Sequence, residues 1–191
     1  MKDSIYKQTS VILFLFCAFM VNAQLTYESS LTEKSENLEG RSLNGYSTVF
    51  DFSREEVRRG WWEYAKKFSN PVNMKTYYRV NIPSDHTDGN VDLMLYSKTE
   101  VSDSGVGFFL GIEENAFNSQ IKNLILDFKR AFYIKKILEK IKEKEIEATR
   151  MSRDYVSTIL SDERVIVLDS LSKVISSIDS LRNEIKGVAT K

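Results

Sequence analysis

The chain has 191 residues, with 27 basic and 27 acidic side chains and 42% hydrophobic residues. Balanced charge gives no electrostatic reason to expect nucleic acid or an anionic membrane as partner. The length suffices for one domain plus an extension once a leader is set aside.

That leader is residues 1–23. Lys2 and Lys7 give a positive start, and Val11 to Val21 (VILFLFCAFMV) form an unbroken apolar run. The run is far shorter than the roughly 20 residues a membrane-crossing helix needs. Val21-Asn22-Ala23 supplies short residues at a cleavage point, with Gln24 as the expected mature N-terminus. The segment reads as a removable export signal, leaving no membrane span and a periplasmic or envelope-associated protein. A lipidated Cys17 would want a small residue before it and finds Phe16. With Cys17 removed, the mature chain has no thiol or disulfide chemistry.

Residues 24–45 are polar and read as a flexible leader to the body. Tyr46 to Phe52 (YSTVFDF) alternates and predicts the first strand. Ser53 with Glu56 three residues on is a capping box. Behind it Val57, Trp61, Tyr64, Ala65 and Phe68 share one helix face, and Asn70-Pro71 ends that helix. Three further strands are predicted over Lys75–Ile82, Val91–Glu100 and Val106–Glu113. In the last, Gly107 and Gly111 lie opposite the apolar face, leaving room for a close neighbour. The fold class is α+β: a small antiparallel sheet in the order β-α-β-β-β-α with helices on one face, spanning residues 46–133.

Both Trp and almost all mature Phe and Tyr precede Ile134, whereas Ile, Leu, Val, Lys and Glu dominate afterwards. From Ile112 to Lys186 there is neither Gly nor Pro, which argues for helix. Ile121, Leu124, Ile125, Phe128, Ala131 and Phe132 make a stripe that would cover the sheet. Residues 134–191 form a coiled-coil extension. Within it Val167, Leu171, Val174, Ile178, Leu181, Ile185 and Val188 alternate steps of four and three, a heptad seam. A helix this long is stable only when paired. The seam therefore either folds back as a hairpin, turning near Ser161-Asp162-Glu163, or pairs with another chain.

Residues able to run a reaction are scarce. His86 is the one histidine, and SDHTDGNVD departs from calcium-loop spacing. There is no Gly-rich phosphate loop and no G-x-S-x-G elbow. No catalytic residue, metal ligand or cofactor site is expected. Trp62 falls beside the apolar stripe, near Lys66, and is the candidate contact for a ligand or partner.

The helix EEVRRGWWEYAKKF, the segment VNIPSDHTDGNVDLMLYSKTE and GFFLGIEEN leading into a Lys/Glu-rich helix together resemble a group of small exported bacterial proteins of unknown function. The resemblance implies export and an α/β body with a helical C-terminus, and carries no catalytic residue or ligand. The functional expectation is a non-enzymatic interaction or assembly protein of the envelope, acting on a protein partner or a second copy through the C-terminal helix. Two alternatives stand beside it. One is an apolar-ligand module lined by Phe108, Leu110, Phe128 and Phe132; the other is a holdase-like chaperone with helical arms.

Overall fold

A computed structural model describes residues 27–84, 92–113, 118–158 and 161–190. The segment expected to be an export signal, with Cys17, and residues 85–91 of SDHTDGNVD, with His86, lie outside the described residues. The elements run β1 (Thr32–Leu38), β2 (Arg41–Phe50), α1 (Arg54–Ala65), β3 (Val72–Asn73), β4 (Tyr77–Ile82), β5 (Leu93–Ser102), β6 (Gly105–Ile112), α2 (Asn118–Ser157) and α3 (Ser161–Ala189). The six strands form one antiparallel sheet in the order β1-β2-β6-β5-β4-β3. The α+β architecture is as the sequence predicts, with two strands more.

The first addition falls in the segment expected to be a flexible leader. Residues 32–38 and 41–45 are strand, closed by the two-residue turn Glu39–Gly40 with φ of +53° and +82°. Two successive positive φ values are the turn geometry whose twist suits a hairpin. Glycine adopts it without strain, and Asn37 Oδ1 accepts from the Gly40 N–H at 3.1 Å. β1 is illegible from periodicity because it is polar up to Leu38, its one apolar residue. As an edge strand it puts Lys34 and Glu36 into an ion-pair network with Lys98 and Glu100 of β5, and such charges also discourage pairing with other chains. The second addition, β3, has two residues, too few for any periodicity.

The capping box at α1 is complete: Ser53 Oγ accepts from the Glu56 N–H, and Glu56 Oε2 accepts from the Ser53 N–H at 3.2 Å. The predicted stripe turns inward, with Val57, Trp61 and Ala65 fully buried. They meet Phe50, Val80, Leu95, Phe108 and Leu110 from the sheet and Ile121, Ile125, Phe128 and Phe132 from α2. Gly60 lets the two helices approach closely, because a Cβ there would run into the Phe132 ring. On the opposite sheet face a smaller cluster gathers Leu38, Leu43, Tyr77, Tyr96 and Phe109. The space left by Gly111 is filled by the Phe109 ring of the same strand rather than by a helix.

The helical region divides into α2, ending at Ser157, and α3, beginning at Ser161, which returns antiparallel along α2. Ser161-Asp162-Glu163 is thus the first turn of α3, where acidic side chains complement the helix dipole. Arg164 Nε donates to the Thr158 carbonyl at 2.7 Å across the break. No packing boundary falls at Ile134. Tyr133, Ile137 and Ile141 of α2 share one core with Val174, Ile178 and Val188 of α3 and with the sheet.

Candidate functional site

The heptad seam lies against α2 of the same chain. Val174, Ile178 and Val188 are buried; Leu181 and Ile185 pack on the same core, and Val167 and Leu171 are half-buried. Ala148 and Met151 answer from α2, and Arg182 pairs with Glu145 at 3.3 Å. A seam satisfied within the chain is not an open surface for a second helix.

What the hairpin leaves exposed is a different set of apolar residues. Val156, Val165 and Ile166 are 78%, 66% and 66% exposed, with Leu138, Leu168 and Ile175 also at the surface. Leu138 and Val156 stand five helical turns apart on α2 and so share one line. Leu168 and Ile175 flank the seam of α3, two turns apart. Beyond Ile141 no described residue of α2 is buried, so roughly 24 Å of two-helix arm rests on itself at about 1.5 Å per residue.

Trp62 occupies a cleft of about 460 Å³ with Glu55, Arg58 and Arg59 of α1, Asn73 of β3 and Tyr78 of β4. Steps of three and four place Glu55, Arg58, Arg59 and Trp62 on the outward side of α1, away from Val57 and Trp61. The Trp62 and Tyr78 rings stand 5.4 Å apart at 43°, with Arg58 5.0 Å from the Tyr78 ring and Lys66 4.9 Å from the Trp62 ring. Arg58 is pinned: its Nη2 donates to the Lys75 carbonyl at 2.8 Å and to Asn73 Oδ1 at 3.4 Å. Asn73 Oδ1 also accepts from the Lys75 N–H at 2.9 Å, and Lys75 holds φ of +70°. A non-glycine residue in that region is a strained turn held by its surroundings. The sequence pointed to Trp62 alone, since Asn73, Lys75 and Tyr78 reach it only through the β3–β4 fold.

The four residues expected to line an apolar ligand, Phe108, Leu110, Phe128 and Phe132, are buried in the continuous core, with Phe108 and Phe128 rings 5.1 Å apart. Phe128 and Phe132 also reach the wall of an apolar groove of about 520 Å³ between α1 and α2, beside Tyr64, Ala131, Ile134 and Leu138; Phe108 and Leu110 do not line it.

A polar cluster crosses the core where β2 meets both long helices. Lys129 is 2% exposed and donates from Nζ to Thr48 Oγ1 at 2.9 Å; Thr48 donates to the Ser30 carbonyl at 2.9 Å. Burial lowers the Lys129 ammonium to about 8, against the pull of Glu28 and Asp51. Tyr133 donates to Asp51, and burial pushes its hydroxyl well above the ordinary phenol range. Glu184 of α3 is raised by the same cause. Lys129 has no open path to a ligand, so the cluster serves the fold. Among the described residues no group of His, Cys, Asp or Glu is placed to hold a metal ion, and no helix is long and apolar enough to cross a membrane. No protein-family model, curated protein or solved structure matches this chain.

Proposed function

We propose that this is an exported, non-enzymatic interaction protein of the cell envelope. In this reading the α/β body is the anchoring unit, and the tip half of the α2–α3 hairpin reaches a protein partner. The carrying observation is the exposed apolar surface of the arm, Val156, Val165, Leu168 and Ile175, left over after the heptad seam has been used inside the chain. Exposed apolar side chains on both helices of a solvated arm mark an interaction surface. Recognition then follows the helix-in-groove logic, with anchors at three- and four-residue steps. Export is supported by the leader sequence.

The test places a photo-crosslinking residue at Val165 and, as control, at exposed Val72 of β3, in the native host. A discrete protein adduct from position 165, absent from position 72 and lost in a Val156→Glu/Leu168→Glu background, is expected. No adduct from the arm, or the same adducts from both positions, overturns the reading. A second reading has its own observation in the groove between α1 and α2, whose apolar walls and rim residues Lys67 and Lys135 suit an amphiphile. Co-purified lipid in native mass spectrometry, lost in Leu138→Glu, would favour it.

A further inference from the structure

The Trp62 cleft has a chemistry the hairpin arm does not use. We propose that it is a binding site for a small carboxylate carried on a ring, with Arg58 and Arg59 holding the carboxylate and the Trp62–Tyr78 pair walling the ring.

Three features lead there. The first is pre-organisation. Arg58 is fixed by the Lys75 carbonyl and by Asn73, and is stacked near Tyr78, so its planar fork is oriented before any ligand arrives. Its Nη2 is taken up by the Lys75 and Asn73 oxygens, so Nη1 and Nε are the donors left to meet a carboxylate oxygen. The turn that aims the Lys75 carbonyl carries strain at φ +70°, and such strain persists where surrounding structure over-determines it.

The second is the charge count. Arg59 is exposed and makes no ion pair among the described residues, so it is available one residue from Arg58. Glu55 lies on the same wall. Lys66 stands 4.9 Å from the Trp62 ring, so three cations face the single Glu55 carboxylate and the wall attracts an anion.

The third is the wall. Trp62 is half-buried with its ring tilted at 43° against Tyr78, presenting apolar area at little conformational cost. A cleft of about 460 Å³ accommodates one or two rings, within the range of small-molecule sites. An aromatic acid and a uronic acid both have the required carboxylate and an apolar ring face, and the experiment separates them.

The test records the two indole N–H signals of the chain from Gln24 to Lys191 by NMR. Trp61 is fully buried in the core and serves as the internal reference. Phenylacetate and glucuronate are titrated separately, with benzyl alcohol, methyl glucoside and inorganic phosphate as controls. One of the two acids is expected to move the Trp62 indole saturably while the Trp61 signal stays in place, and the responding acid identifies the ring class. Arg59→Gln removes an exposed side chain that makes no hydrogen bond among the described residues, so the fold is retained; affinity should fall on the order of tenfold or more. Glu55→Gln should tighten acid binding. No Trp62 response to either acid overturns the site. An equal response to the neutral controls, or to phosphate in the unsubstituted protein, overturns the carboxylate assignment. Neither result bears on the arm, which is tested from position 165.

Discussion

The Tyr77 hydroxyl on β4 donates to Glu39 Oε2 in the β1–β2 turn at 2.8 Å, although β5, β6 and β2 lie between them in the sheet. The sheet must curl for the bond to form, and the curl shelters Leu38, Leu43, Tyr96 and Phe109 on the face without helices. Arg41 closes the same face by pairing with Glu113 at 2.6 Å, and the Tyr96 hydroxyl donates to that carboxylate at 3.2 Å. Glu39 holds this bond from a left-handed backbone, φ +53°. Tyr77→Phe should cost about 1 kcal/mol. Glu39→Gly loses the same acceptor but relieves the backbone, so its cost should be smaller. Urea unfolding of both variants checks the ordering.

Glu56 gives the protein an acid limb. Its hydrogen bonds from Lys136 and from Ser53 lower its carboxyl to about 2 against an ordinary 4.5. A depressed carboxylate contributes stability that is fully present above the unfolded value and is lost as pH falls from about 4.5 towards 2. The group is about one-third exposed, so solvent screening reduces the effect, and roughly 1 kcal/mol is expected from cap and ion pair together. In Glu56→Gln the melting temperature should fall at pH 6 and should change less than wild type between pH 5 and 2.5. Circular dichroism melts across that range test it.

Lys129 acts in the opposite direction. Its ammonium is lowered by burial to about 8, so the unfolded chain binds the proton more tightly than the folded one. The resulting penalty is complete below pH 8 and relieved as pH rises from 8 towards 10.5. Lys129→Met removes the buried charge and leaves Thr48 its bond to the Ser30 carbonyl. It should stabilise the protein by roughly 1–3 kcal/mol at pH 7. The gap between variant and wild type should shrink by pH 10.5. A gap that does not change with pH would show that Lys129 is not strained by burial.

Gly60 should tolerate no side chain. In an exposed helix Gly→Ala stabilises by about 1 kcal/mol. Here the new methyl meets the Phe132 ring, and overpacking of that kind costs typically 1–3 kcal/mol. Gly60→Ala should therefore destabilise, and Phe132→Leu should recover part of the loss in a double-mutant cycle.

The strands legible in the sequence were those whose apolar residues alternate because one face is buried: the end of β2, β4, β5 and β6. β1 was not, since TEKSENL alternates nothing apolar and is held by backbone pairing and ions. β5 was legible on one face only. Leu93 and Leu95 belong to the main core, and Tyr96 to the smaller cluster beyond the sheet. The seam from Val167 to Val188 announced that α3 needed a helix beside it without naming whose, and the break before Ser161 supplied α2. Trp62 stood out because it leaves the apolar stripe of α1. Its neighbours Asn73 and Tyr78 come from a turn that local sequence does not encode, so the cleft was visible only as one unexplained ring.

Val188 is buried near the C-terminal end of α3, and this makes the arm a lever with two feet. α2 stands in the core through Phe128, Phe132 and Ile137, and α3 through Val188, while Val174 and Ile178 seal α3 onto α2 above it. A single projecting helix would swing about its root. Two legs seated in one floor resist both bending and twist, so a pull at the tip reaches the sheet as shear along both helices. Whatever grips the arm at Val156 and Val165 is therefore mechanically in contact with the body, without touching it.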